Sequence, residues 1–230
     1  MVRNEKSTFT AQFSSSRINK MYELLNRFSD KLTKQNQDRE IAAAALRYKA
    51  LIAGSQQWAV PSKVYSHFAK KFELNLEGFA SPFNTQILIS NDQKERKFCS
   101  IFPEDSSFGS IGNFFDANLE DYRSIINPPF VESLIEAVAA KLDNTLKLIK
   151  PTTLICVVVP SWKDAVFYKH LNRLLTAYSG KRIILTPSDK YYYEDNAFDS
   201  STTKMIPARF ESTWFCFGSD ASKITKADLL

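Results

Sequence analysis

Tyr122-Arg123-Ser124-Ile125-Ile126-Asn127-Pro128-Pro129-Phe130-Val131 is the stretch on which the reading of this chain turns. Its apolar end, Ile125-Ile126, closes a strand expected over 122–126. Two prolines then stop any further ladder, since neither has an N–H to donate. A helix is expected over 130–148, because Val131, Leu134, Ile135, Val138 and Leu142 recur at three- and four-residue steps. A second apolar run, 153–159, follows that helix. Strand, helix, strand at this spacing is a parallel crossover, which places the chain among layered α/β folds.

Working outward, the pattern repeats downstream. A helix fits 163–178, with Val166, Phe167, Leu171, Leu174 and Leu175 on one face, and strands fit 181–186 and 212–217. These last two read as a hairpin joined by a long loop, 187–211, which carries Tyr191, Tyr192 and Tyr193. Upstream, strands are expected over 74–80, 86–90 and 97–102. Before residue 73 the texture is helical. One stripe, Met21, Leu24, Leu25, Phe28 and Leu32, predicts a helix over 16–35. A second helix is expected over 39–53, capped by Asp38, with Ala42, Ala45, Leu46 and Ile52 inward and Gly54 as its stop. Pro61 opens a third, near 62–72. The expected organisation is a polar arm and helical layer at 1–72 and a Rossmann-like domain at 73–230.

The residue types around Asn127 point to a particular chemistry. An exocyclic ring amine is a poor nucleophile, because its lone pair is delocalised into the ring. The Asn127 side-chain oxygen and the Pro128 carbonyl are two acceptors for its two N–H groups. Holding both would favour a pyramidal nitrogen and free the lone pair. Phe130 can stack on a base taken out of its strand. A plain strand-to-helix turn uses prolines in the same way, so the tetrapeptide alone leaves both readings open. Upstream, Glu77-Gly78-Phe79-Ala80-Ser81-Pro82-Phe83-Asn84 ends the first expected strand of the α/β region with small residues that let a ligand approach the backbone. Phe102-Pro103-Glu104-Asp105 brings acidic residues to the end of the next, where Asp105 or Glu104 could meet ribose hydroxyls. Trp162, after Pro160-Ser161, could wall a base pocket or sit in the core.

Bulk properties narrow the field. The net charge is +5 and the pI about 9.0, which suits a polyanionic partner without requiring one. The basic residues Arg17, Lys20, Arg27, Lys31, Lys34, Arg39, Arg47 and Lys49 spread over several helix faces, as solvated charges do. Cys99, Cys156 and Cys216 lie in apolar runs without metal-ligand spacing and read as buried free thiols. His67 and His170 have no partners at ligand spacing, so no metal is expected. No apolar run reaches the roughly 18 residues of a membrane span, and the N-terminal residues lack the apolar core of a signal peptide. A soluble intracellular protein is expected, nuclear or cytoplasmic.

Several segments taken in order carry a resemblance: Leu46-Arg47-Tyr48, Gln56-Gln57-Trp58-Ala59-Val60-Pro61, Glu77 to Pro82 with Asn84, Phe98-Cys99-Ser100, Phe102-Pro103, Phe108-Gly109-Ser110, Gly112, Phe114-Phe115, Asn127 to Phe130, and Pro160-Ser161-Trp162. Over roughly residues 46–162 the chain resembles the methyltransferase domain of the phosphorylated CTD-interacting factor family, the cap-specific adenosine N6-methyltransferases. The resemblance implies a Rossmann-like S-adenosylmethionine-dependent methyltransferase fold with an N-terminal helical layer. It implies S-adenosylmethionine as cofactor and, as substrate, the first transcribed adenosine of capped mRNA, usually 2′-O-methylated. Asn127, Pro128, Pro129 and Phe130 match the family's catalytic motif. Arg47, Phe79, Ala80, Ser81, Pro82, Asn84, Asp105, Phe108, Gly109 and Ser110 would form the cofactor pocket, and Phe130 and Trp162 would meet the substrate base. DNA adenine is the rival substrate, since it shows the same edge; a catalytically silent nucleic-acid-binding homologue is the rival class. No membrane partner is expected.

Overall fold

The computed structural model describes residues 13–51, 58–86, 96–195 and 204–230. Three helices come first in the fold: α1 (Ser15–Phe28), α2 (Lys34–Leu51) and α3 (Ser62–Lys71). The α1 stripe forms as its spacing predicts, with Met21, Leu24 and Leu25 buried. It ends at Phe28, short of residue 35, because Ser29 is extended and Lys31 takes a positive φ of 29°. α2 begins at Lys34, where the Thr33 hydroxyl accepts from the Asn36 N–H at 3.3 Å. Asp38, expected as its cap, therefore lies inside the helix. The buried face of α2 is Ile41, Ala44, Ala45 and Tyr48, while Ala42 and Leu46 point outward. α3 starts after Pro61, whose fixed φ suits a helix entrance. The expected strand 86–90, Ile52 and Gly54 lie outside the described residues, apart from Gln86.

The large sheet contains β2 (Leu76–Glu77), β3 (Lys97–Phe98), β4 (Arg123–Ile126), β5 (Leu154–Pro160), β6 (Lys181–Leu185) and β9 (Ser212–Gly218), ordered β3-β2-β4-β5-β9-β6. β3, β2, β4 and β5 are parallel neighbours, and β9 runs antiparallel to both β5 and β6. All strands but β9 thus share one direction, and the crossovers are α4 (Glu132–Thr145) and α5 (Val166–Ala177). β2 and β3 are shorter than 74–80 and 97–102. Single hydrogen bonds prolong the pairing, such as Gly78 N to Ile125 O at 2.8 Å and Ala80 N to Cys99 O at 2.9 Å. This is a Rossmann-like α/β sheet.

β5, Leu-Ile-Cys-Val-Val-Val-Pro, is buried along its whole length, as a strand covered on both faces must be. Its side chains alternate. Leu154, Cys156 and Val158 pack toward α1–α3, and Ile155, Val157 and Val159 toward α4 and α5. The result is a three-layer sandwich with an apolar core on each side of the sheet. From β2 the order grows one way to β3 and the other way to β4. Ligands bind at such a switch point, outside the carboxyl ends of the strands.

One small sheet went unread in the sequence. The loop expected over 187–211 contains β7 (Tyr192–Asp195) and β8 (Lys204–Pro207), which pair antiparallel. β7 also pairs with β1 (Trp58–Ala59), so a second, three-stranded sheet ties the segment before α3 to the segment between β6 and β9.

Arg123, at the start of β4, fastens the opposite edge. Its guanidinium donates to the carbonyls of Phe72 and of Thr152 (2.8 Å) and to the Asp220 carboxylate at 2.6 Å. Hydrogen bonds from Lys223 and Arg123 hold the Asp220 carboxyl down to about 2, against a small opposing push from burial. Since the unfolded value is about 3.9, the ion pair stabilises the fold fully above about pH 4 and is lost as pH falls toward 2. Asp220→Asn should lower the urea midpoint at neutral pH, and its deficit against wild type should shrink on acidification through that window.

Candidate active site

A cavity of about 740 Å³ opens at the switch point, within the size range of small-molecule sites. Its floor is the carboxyl ends of two parallel strands: Glu77, the last residue of β2, with Phe79, Ala80 and Ser81 after it, and Asn127 to Val131 after β4. Asn84, Tyr48 of α2, Ile101, Trp58 and Ala59 of β1, Pro160, Trp162 and Phe210 complete the wall. The loop after β2 is folded back by its own polar groups. The Asn84 side-chain oxygen accepts from Ser81 N at 2.6 Å and Ser81 Oγ at 2.9 Å, and Glu77 Oε2 accepts from Thr85 Oγ1 and Gln86 N, both at 2.8 Å. Lys20 of α1 reaches under this loop to the Thr85 carbonyl. Burial pushes its ammonium down to about 8, against the pull of Glu77.

The tetrapeptide stands where the sequence placed it, between β4 and α4. Asn127 Nδ2 donates to the main-chain carbonyl of Trp58 at 2.9 Å. The other end of that amide, Oδ1, is buried and has no hydrogen-bond partner among the described residues. A buried unpaired acceptor costs roughly 1–3 kcal/mol unless something satisfies it. The rings of Trp58, Phe130 and Phe210 share the cavity wall with it. Trp58 stacks on Phe210 (centroids 5.0 Å, 9° between planes) and on Tyr193 (5.8 Å, 29°). Phe130 meets all three edge-on, at 6.4 Å from Trp58, 5.8 Å from Tyr193 and 5.9 Å from Phe210. Trp162 is 44% exposed at the cavity mouth, its ring edge-on to Phe167.

Of the expected cofactor residues, Phe79, Ala80, Ser81 and Asn84 lie in the cavity wall; Pro82 is buried in the same turn but does not reach it. The group Arg47, Asp105, Phe108, Gly109 and Ser110 does not contribute to the wall. Asp105 is fully buried, and both its oxygens are taken: Arg47 Nη2 donates at 2.8 Å and Tyr48 Oη at 2.5 Å. It anchors α2 to the 3-10 turn Pro103–Phe108 rather than meeting a ribose. Burial and the Asp105 carboxylate push the Tyr48 hydroxyl far up, so it stays a neutral donor. Phe108 is core, and Ser110 bonds Ser100 Oγ at 2.8 Å. Gly109 ends the turn at φ 98°, where an added Cβ would lie 2.5 Å from the Phe28 ring. Its lack of a side chain serves the seating of α1. Trp58, Tyr48, Glu77 and Phe210 were not singled out as site residues. Trp58, Tyr48 and Glu77 carried a signal, since all three stand in the segments of the resemblance; Phe210 carried none.

The family model described as "Phosphorylated CTD interacting factor 1 WW domain" matches residues 17–195, from α1 to the end of β7. The chain belongs to this family. The curated relatives include proteins of mouse (Mus musculus) and human (Homo sapiens), each called an mRNA (2′-O-methyladenosine-N6-)-methyltransferase. Each is 29% identical over 109 residues, which is 47% of this chain and 14% of the relative. The chain therefore matches only a small part of those longer proteins. Among solved structures, the plantazolicin methyltransferase BpumL, in complex with SAH and a substrate analogue, overlaps 88% of this chain and 97% of its own at 10% identity and a TM-score of 0.39. An overlap that loose adds nothing to the sheet order itself.

Gly109→Ala should lower the free energy of unfolding by about 1–3 kcal/mol, since it adds both positive-φ strain and a clash. Urea denaturation measures it; an unchanged midpoint would mean that Phe28 gives way freely.

Proposed function

We propose that this chain is the catalytic domain of an S-adenosylmethionine-dependent RNA methyltransferase that modifies the N6 amine of adenosine, with the adenosine beside the mRNA cap as its target. The observation that carries this reading is the unpaired, buried Oδ1 of Asn127. It is a fixed acceptor at the carboxyl end of β4, inside a cavity large enough for a nucleobase beside a second ligand. Family membership and the names of the mouse and human relatives support it.

The residues present fit the cofactor. Phe79, Ala80, Ser81 and Asn84 line the side of the cavity built by β2, where small side chains leave the backbone open to a ligand. S-adenosylmethionine supplies the activated methyl group. The chain supplies position. Asn127 Oδ1 accepts one N–H of the target amine and the Pro128 carbonyl accepts the other, which holds the nitrogen lone pair toward the cofactor side. Phe130 and the neighbouring aromatic rings grip the base face, where stacking is worth roughly 1–3 kcal/mol. The apolar wall excludes water. Alignment of amine and methyl group supplies most of the rate.

Capped RNA beginning with adenosine, uncapped RNA and DNA oligonucleotides competing for radiolabelled methyl groups test the substrate class; capped RNA should win. Asn127→Ala should lower kcat by about a hundredfold or more, as loss of a transition-state hydrogen bond does, with thermal unfolding near that of wild type. Wild-type turnover in that variant would end the reading.

A further inference from the structure

Asn127 has one hydrogen-bonded end and one free end, and the structure shows what decides which is which. The partner of Nδ2 is a main-chain carbonyl, Trp58 O, at 2.9 Å. A carbonyl can only accept. Turning the amide over would set two oxygens against each other at that distance. We propose that the Trp58 carbonyl is a positioning group for methyl transfer, fixing the Asn127 amide so that its oxygen alone is offered to the substrate amine, and that the small β1-β7-β8 sheet serves to hold that carbonyl in place.

This rests on the methyltransferase reading and adds a part that the tetrapeptide does not contain. β1 is two residues long and could not hold a position alone. It is fixed from four sides. Trp58 and Ala59 pair in register with Asp195 and Glu194 of β7. The Trp58 ring stacks on Phe210 and Tyr193. Tyr193 is tied to β9 through Ser212 Oγ at 2.6 Å. Just past β1, Glu194 accepts from Ser62 N at 2.6 Å and Ser62 Oγ at 2.7 Å, which clamps the start of α3 to β7. All of this converges on one carbonyl, and that carbonyl holds the Asn127 amide.

The consequence is a strict preference for an amide over a carboxylate at this position. A carboxylate is nearly the same shape and has two acceptors, so it could still take the substrate N–H. It has no hydrogen to give Trp58 O, and its charge would face a carbonyl dipole of the wrong sense. Only the protonated acid restores the pattern, with its O–H donated to Trp58 and its C=O left for the amine. Asn127→Asp should therefore work as an enzyme that needs one extra proton.

The test is kcat/KM of Asn127→Asp relative to wild type, on capped adenosine-initiated RNA, between about pH 6 and 9. The titratable groups around the position are Glu77 and Tyr48 in the cavity wall, Tyr193 stacked on Trp58, Glu194 and Asp195 opposite β1, and Lys20 beside Glu77, whose ammonium burial brings down to about 8 in both proteins alike, so that it divides out of their ratio. Burial pushes both tyrosines upward, out of this range. The carboxylates are shared by both proteins and divide out of the ratio. The ratio should rise on acidification, about tenfold per pH unit above the new carboxyl's pKa. NMR of the isotope-labelled carboxyl that Asn127→Asp introduces, with no substrate present, should find that pKa above the ordinary value of about 3.9. A flat ratio together with an ordinary pKa overturns the proposal. If wild type transfers no methyl to any nucleic acid, the functional reading fails, and the NMR value alone decides this one. Glu194→Ala, outside the cavity wall, guards against a variant that fails to fold. It should lower kcat severalfold with KM for RNA unchanged, and Glu194→Gln, which keeps an acceptor for Ser62, should recover most of the loss. An unchanged kcat in Glu194→Ala counts against the proposal.

Discussion

The hydrogen bond from the Asn127 side chain to the Trp58 carbonyl joins the two halves of this molecule at the point where chemistry is expected. On one side stands β4, a buried parallel strand whose ladder stops at a pair of prolines. On the other stands a two-residue strand held by a separate small sheet. Neither half alone would leave a single acceptor, buried and unsatisfied, on the floor of the crevice. Leaving it so is unfavourable for the free protein, and such a group is what a ligand-binding site uses to select its ligand.

Rigid surroundings make that arrangement tenable. β5 is packed on both faces, and its alternating side chains belong to two separate cores. Arg123 ties β4 to the turn after α3 and to Asp220. Asp105, with Arg47 and Tyr48, locks α2 onto the turn below the cavity. Tyr48 thereby reaches the cavity wall as a neutral hydroxyl with its proton committed to Asp105. The polar groups near the site thus divide into those spent on structure and the few left over, and Asn127 Oδ1 belongs to the second set.

How far the sequence could be read follows from the range of the forces at work. β4, α4, β5 and α5 carry their own periodicity, so their burial is written locally and the layered sheet could be read from it. Asn127 was placed correctly at a strand end because Pro128 and Pro129 leave little choice. β1 could not be seen, since Trp58-Ala59 is too short to show alternation and its partner β7 lies far along the chain in what read as a loop. Asp105 illustrates the other failure. An acidic residue after a strand looks the same whether its carboxylate faces a ligand or a buried arginine, and only packing against α2 decides. Gly109 likewise read as ligand-facing, whereas its missing side chain makes room for Phe28.

The most direct measurement is the structure of this protein with S-adenosylhomocysteine and a short capped RNA that begins with adenosine. The expected result puts the adenine N6 within hydrogen-bonding distance, roughly 2.7–3.2 Å, of Asn127 Oδ1, with Nδ2 still on the Trp58 carbonyl and the base against Phe130. An adenine bound away from Asn127, or an Asn127 amide turned so that its nitrogen meets the base, would contradict it.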